Sequence, residues 1–162
     1  MNLRIRTALV VLLCTLLCGC GFQLRGKVDL PDSLTEPYVR GDDAQLVSTL
    51  NQALRFSGAA PTSSASAATA TIEFVQSAYS RNVRTVDSRG LATGYELSYV
   101  VVYRVLDQSG EVLLPNARIE QKRNFNWDET QVLQKEQEER ELKEQMQTDI
   151  VQQMLRRLAT LG

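Results

Sequence analysis

Apolar and polar positions alternate with a period of two from Ile72 to Trp127, and stretches with the longer period of a helix lie on either side. The central run is the clearest. Tyr95, Leu97, Tyr99, Val101, Tyr103 and Val105 share one face, while Glu96, Ser98, Val100, Val102, Arg104 and Leu106 share the other. Both faces are part apolar at the middle, which is the composition of an inner strand. The next run, Arg118 to Trp127, sets Ile119, Gln121, Arg123, Phe125 and Trp127 against Arg118, Glu120, Lys122 and Asn124. Ser88-Arg89-Gly90 and Ser109-Gly110 supply turn residues between successive strands, so three strands are expected in a meander.

Ahead of the strands, Leu46, Val47, Leu50 and Leu54 form one helical stripe, with Asp42 as the expected cap, Gln45 three residues on and Gly58 past the end. Behind them a long helix is expected from about Glu129, where Asp128 caps and Gln131 completes a capping box. Its apolar row, Leu142, Met146, Ile150, Met154 and Leu158, is widened by Val151, Leu155 and Leu161. Residues 135–141 of that helix hold no apolar member, so these turns are expected to project into solvent or toward a partner. Ala59 to Thr71 is almost wholly Ala, Ser and Thr and reads as a flexible surface loop. Gly21 to Arg40, broken by Pro31 and Pro37, reads as an extended lead-in, in which either Phe22 to Val28 or Tyr38 to Arg40 supplies a further strand.

The fold class is therefore α+β, a two-layer sandwich with two helices packed on one face of a mainly antiparallel three- to four-stranded sheet. Tyr95, Tyr99 and Tyr103 either fill the core under the helices or line an interaction face. The uncovered face, half apolar on this reading, suggests a binding surface.

The first residues follow another pattern. Arg4 and Arg6 give a positive start, Ala8 to Leu17 is apolar except for Cys14 and Thr15, and Leu17-Cys18-Gly19-Cys20 closes the run. The run is too short to span a bilayer comfortably. Residues 1–19 are expected to be a cleaved lipoprotein signal peptide, because Gly19 is the small residue beside the cut, whereas a cut before Cys18 would put bulky Leu17 there. Cys20 would then carry a diacylglycerol thioether and an N-acyl chain, and several chains on one residue make a stable membrane anchor. Gly21, in place of an aspartate that would favour inner-membrane retention, leaves the outer membrane as the expected address. Residues 20–162 are the size of one α+β domain, with 20–37 as the lead-in from the anchor.

Removing Arg4 and Arg6 from 18 basic residues leaves 16 against 19 acidic ones, a balance of −3 with no nucleic-acid signature. All three cysteines lie in or at the edge of the leader, which excludes a disulfide framework. There is no histidine, so the commonest general base, the commonest zinc ligand and every Ser-His or Cys-His nucleophile are missing. No metal-ligand spacing occurs, and Gly90 and Gly94 flank a turn without a phosphate-loop pattern. No catalytic residue, metal or cofactor is expected, the covalent lipid on Cys20 apart. Asp42-Asp43 reads as a helix start and Glu136 to Glu144 as a solvated helix face. Arg81, Arg84 and Arg89 fall near one hairpin tip, and Lys135 opens the long helix at an end that can reach it. Such a cluster suits a phosphorylated glycolipid. Equally, basic residues on strands and sheet edges deter aggregation.

The segment Cys20-Gly21-Phe22-Gln23-Leu24-Arg25-Gly26 after the leader resembles the start of the LptE family of lipopolysaccharide-assembly lipoproteins, whose chains open Cys-Gly-(aromatic)-x-Leu-Arg. The order of elements is similar too, from proline-containing lead-in through helix, loop and strand meander to a long closing helix. The resemblance implies a non-enzymatic protein with two helices on a four-stranded sheet, which plugs the lumen of the outer-membrane β-barrel LptD, helps it assemble and binds lipopolysaccharide in transit. It also implies lipopolysaccharide contact through basic residues at the hairpin tip and the start of the long helix, for which Arg89 and Lys135 are the nearest matches, with Arg84 and Arg81 as further candidates. Two rival classes share part of the pattern: a pilotin-like accessory lipoprotein of another secretion or assembly machine, and an envelope hydrolase.

Overall fold

The computed structural model describes residues 28–161. The expected leader, Cys20 as the expected lipid attachment site, and residues 22–27 of the alternative first strand lie outside the described residues.

Four strands form one sheet in the order β1-β2-β3-β4: β1 Pro37–Arg40, β2 Ala70–Val86, β3 Ala92–Asp107 and β4 Val112–Asn126. The last three are the expected antiparallel meander, with β4 six residues longer at its start than the alternation indicated. β1 adds on the outer side of β2 in parallel, pairing Val39 with Ile72, so the sheet is mixed. A parallel neighbour needs a crossover, and helix α1, Ala44–Phe56, supplies it. Helix α2, Val132–Leu158, closes the chain on the same sheet face.

The odd-numbered face of β3 lies beneath both helices. Leu97, Tyr99, Val101, Tyr103 and Val105 are buried there against Leu46, Leu50 and Leu54 of α1 and Met146, Ile150 and Met154 of α2. Tyr99 and Tyr103 are thus core, while Tyr95 is half-buried at the end of the row. Each such aliphatic side chain contributes about 1.5–3 kcal/mol by leaving water. The even-numbered face is uncovered among the described residues, and it is more polar than expected. Arg40 and Arg104 both pair with Glu73, at 2.8 and 2.6 Å, Arg118 pairs with Glu120 at 2.6 Å, and Lys122 pairs with Glu96 at 3.2 Å, around half-buried Val100 and Val102.

The helix starts differ from the local reading. Asp43, not Asp42, caps α1: one carboxylate oxygen accepts the Leu46 amide at 3.0 Å and the other accepts the Tyr99 hydroxyl from β3. Either aspartate is competent by itself, and only Asp43 reaches Tyr99. At the second helix, Asp128 caps a 3-10 turn at Glu129–Gln131, accepting from the Thr130 amide at 2.9 Å, and the α-helix begins only at Val132. Gln131 returns to the Asp128 carboxylate, at 3.1 Å, rather than to its backbone.

Ala59 to Thr71 is not a free loop. Ala60, Thr62 and Thr69 donate backbone hydrogen bonds to Thr35, Pro37 and Glu36, at 2.8, 3.0 and 2.9 Å, and Ala68 and Ala70 are buried. Its small side chains have little to bury, but they let the backbone close on the β1 edge, and β2 starts at Ala70, two residues early. Both hairpins use one solution. Asp87 and Asp107 each accept from the backbone amide four residues on, with Gly90 and Gly110 at φ +81° and +88° completing the turns, a conformation glycine adopts without strain.

Candidate functional site

The β2–β3 hairpin tip and the β4–α2 junction meet at one end of the sheet, and a groove of about 510 Å³ lies between them. The tip contributes Asp87, Arg89 and Leu91; the junction contributes Trp127, Asp128, Glu129 and Lys135. The fold thus brings Arg89 and Lys135 to one groove across 46 residues of chain. The Arg89 guanidinium pairs with Asp87 at 2.8 Å and its side chain is 70% exposed. Lys135 is the more enclosed, with its ammonium 2.8 Å from Glu138 and 5.8 Å from the centre of the Phe125 ring. Backbone amides of Leu91 and Arg89, together with the Arg89 guanidinium, hold the Asp87 carboxyl below its ordinary pKa, so it stays ionised beside Arg89.

Arg84 and Arg81 lie elsewhere. Arg84 is the extra residue at a β2 irregularity between Val83 and Thr85, exposed, and it forms no ion pair among the described residues. Arg81 points beneath α2. Its guanidinium lies 3.7 Å from the Tyr95 ring centre and 4.6 Å from that of Trp127, and it pairs with Glu139 at 2.8 Å. Glu139 also accepts the Tyr79 hydroxyl at 2.8 Å. Burial and this carboxylate together push the Tyr79 hydroxyl well above its ordinary pKa. The first turns of α2 therefore rest on the sheet instead of projecting, and Glu139 is not part of a solvated face. Sequence reasoning missed Glu139, Asp87 and Trp127; the Lys135–Glu139 and Glu139–Lys143 spacings were the available signals, but helical spacing does not tell a solvent pair from a cross-element one.

The end of the molecule is also apolar at its surface. Leu133 is 82% exposed, and Val83, Val86, Leu91 and Val132 are exposed around the same tip. A groove with two cations, three carboxylates and an apolar rim suits an amphiphile better than a bare phosphate: an anionic head must displace Asp87 and Glu138, and only apolar contact adds to that exchange. Among the described residues, no group of three or more acidic side chains is placed to hold a metal ion.

The sequence pattern of one family, LptE: Lipopolysaccharide-assembly, matches residues 28–158. The chain belongs to the LptE family. It is thus a lipopolysaccharide-assembly lipoprotein associated with the outer membrane, of a non-enzymatic family. An LPS-assembly lipoprotein LptE from Photorhabdus laumondii is 25% identical over 163 residues, covering 99% of this chain and 88% of the relative. The solution structure of an uncharacterized lipoprotein B from Nitrosomonas europaea superposes with a TM-score of 0.71 at 29% identity, over 86% of this chain and 90% of that one. The rare lipoprotein B of Shewanella oneidensis, at 19% identity and a TM-score of 0.64 over 77% of this chain and 92% of that one, shares the LptE fold.

Proposed function

We propose that this LptE-family protein is held at the inner face of the outer membrane by lipids on Cys20, seats in the lumen of the LptD barrel as a plug that assists its assembly, and binds lipopolysaccharide at the hairpin-tip groove. The observation that carries the reading is the placement of Arg89 and Lys135 on one groove with an exposed apolar rim. Lipid phosphates exchange with Asp87 and Glu138 for the two cations, while acyl groups meet Leu133, Val132 and Leu91. Such an exchange also loosens lipopolysaccharide aggregates, whose phosphates are bridged by divalent ions. The self-paired charges on the uncovered sheet face suit a polar lumen, because each ion is already compensated when water is displaced.

The test is lipopolysaccharide binding by the full-length lipoprotein and its Arg89→Asp, Lys135→Asp double variant. Each lost charge-assisted contact is worth about 1.5–3 kcal/mol, so affinity is expected to fall at least tenfold while recovery of the LptD barrel with the protein persists. Unchanged binding overturns the site, and purification without a large β-barrel overturns the plug.

A further inference from the structure

Between Leu133 and Leu142, helix α2 has no apolar residue, so hydrophobic burial does not hold its first three turns to the sheet. Those turns nevertheless lie on the sheet, and one polar assembly accounts for it. Arg81 stacks over Tyr95 and Trp127 on the sheet side and pairs with Glu139 on the helix side, and Tyr79 donates to the second oxygen of the same carboxylate. Arg81 and Glu139 are only 29% and 18% exposed, so the pair works with much of its water removed. Lys135 stands one turn before Glu139 on the same helix and reaches the groove past Phe125, a ring that also lies 5.7 Å from Arg81. Trp127, in contact with Arg81, is itself part of the groove wall.

We infer that Arg81 is a positioning residue: it touches no ligand, and it fixes Lys135 in the groove by stacking on the Tyr95 and Trp127 rings while holding Glu139 of the same helix. The guanidinium is suited to this because a flat, always charged group stacks on aromatic faces while its edge donates to a carboxylate; a lysine ammonium does one or the other. When the clamp opens, the turns carrying residues 134–141 keep, among the described residues, only the long Lys135–Phe125 contact at 5.8 Å with the sheet, and Lys135 no longer has a fixed place. The inference rests on the groove being the lipopolysaccharide site, and the tests keep the two apart.

Amide hydrogen exchange of the full-length protein reads the clamp without any ligand. Arg81→Ala and Glu139→Gln, which attack it from opposite sides, are each expected to speed exchange at least tenfold in residues 134–141 while leaving residues 150–158 unchanged. Arg81→Lys is expected to rescue poorly. Lipopolysaccharide binding is then measured for Arg81→Ala in two backgrounds: at least a tenfold loss with Lys135 present, and less than twofold once Lys135→Ala is already in place. Equal losses in the two backgrounds mean that Arg81 meets the ligand directly and overturn the inference, as does unchanged exchange in residues 134–141. Absence of lipopolysaccharide binding by the native protein overturns the functional reading instead, and the exchange result still decides the clamp.

Discussion

Replacing Tyr99 with phenylalanine removes a single oxygen from the place where three elements meet. That hydroxyl donates to Asp43 at the start of α1 and accepts from the Gln147 amide of α2 at 3.0 Å, and both Tyr99 and Gln147 are essentially buried. Burial, reinforced by Asp43, raises the Tyr99 pKa, so the proton stays on the phenol, which donates to the carboxylate. In Tyr99→Phe the Gln147 donor loses its partner in the core, which costs about 1–3 kcal/mol. Asp43 loses a bond worth up to about 3 kcal/mol, but it is only part-buried and keeps the Leu46 amide and access to water, so most of that is recovered. The sum is about 2–3 kcal/mol, or a fall in melting temperature of about 6–12 °C for a chain of this size. Thermal unfolding of the full-length protein in non-ionic detergent, followed by circular dichroism, measures it. The sharper check is the double variant Tyr99→Phe, Gln147→Leu. It replaces donor and acceptor with apolar groups and is expected to recover about half of the loss. If Tyr99→Phe melts within a degree of the native protein, or if Gln147→Leu deepens the loss, the network is not what joins the helices to β3.

Gly41 follows β1, where an added Cβ would sit 2.7 Å from Phe74 Cβ and 2.9 Å from its ring, so Gly41→Ala is expected to cost about 1–3 kcal/mol because the half of the clash against Cβ cannot rotate away. Urea unfolding measures that, and a native midpoint refutes the tight approach of β1 to β2. Acid should weaken the fold through two carboxylates. Partial burial alone would raise the Asp43 pKa, but Tyr99, the Leu46 amide and nearby Lys143 outweigh it; at Glu73, Arg104 and then Arg40 dominate over burial. Both folded values therefore lie below the ordinary 3.8 and 4.5, and the stability they confer is complete above those values and lost as pH falls through the folded ones. The urea midpoint is expected to hold between about pH 6 and 8 and to drop below about pH 4, with a smaller drop in Glu73→Gln. An identical drop in that variant would show that the Arg40–Glu73–Arg104 ladder contributes nothing.

Local pattern determined much of this protein. A period of two over β3 and a four-residue row in α2 are consequences of which residues must leave water, and they can be read without knowing any neighbour, as can the Ser88-Arg89-Gly90 and Ser109-Gly110 turns that close the hairpins. Tertiary structure decided whatever depended on residues distant in the chain. Asp42 and Asp43 are equivalent caps until Tyr99, 56 residues on, selects one. The Ala- and Ser-rich stretch has too little side-chain area to announce order, yet its backbone finds partners on β1. Arg89 and Lys135 could be picked as candidate cations in isolation, but that they share a groove follows from the antiparallel register of β2, β3 and β4. Arg81 shows the limit most plainly: three arginines near a tip look alike along the chain. Only folding puts two aromatic rings from β3 and the β4–α2 junction beneath one of them and a carboxylate from α2 beside it, the arrangement from which a positioning role is inferred.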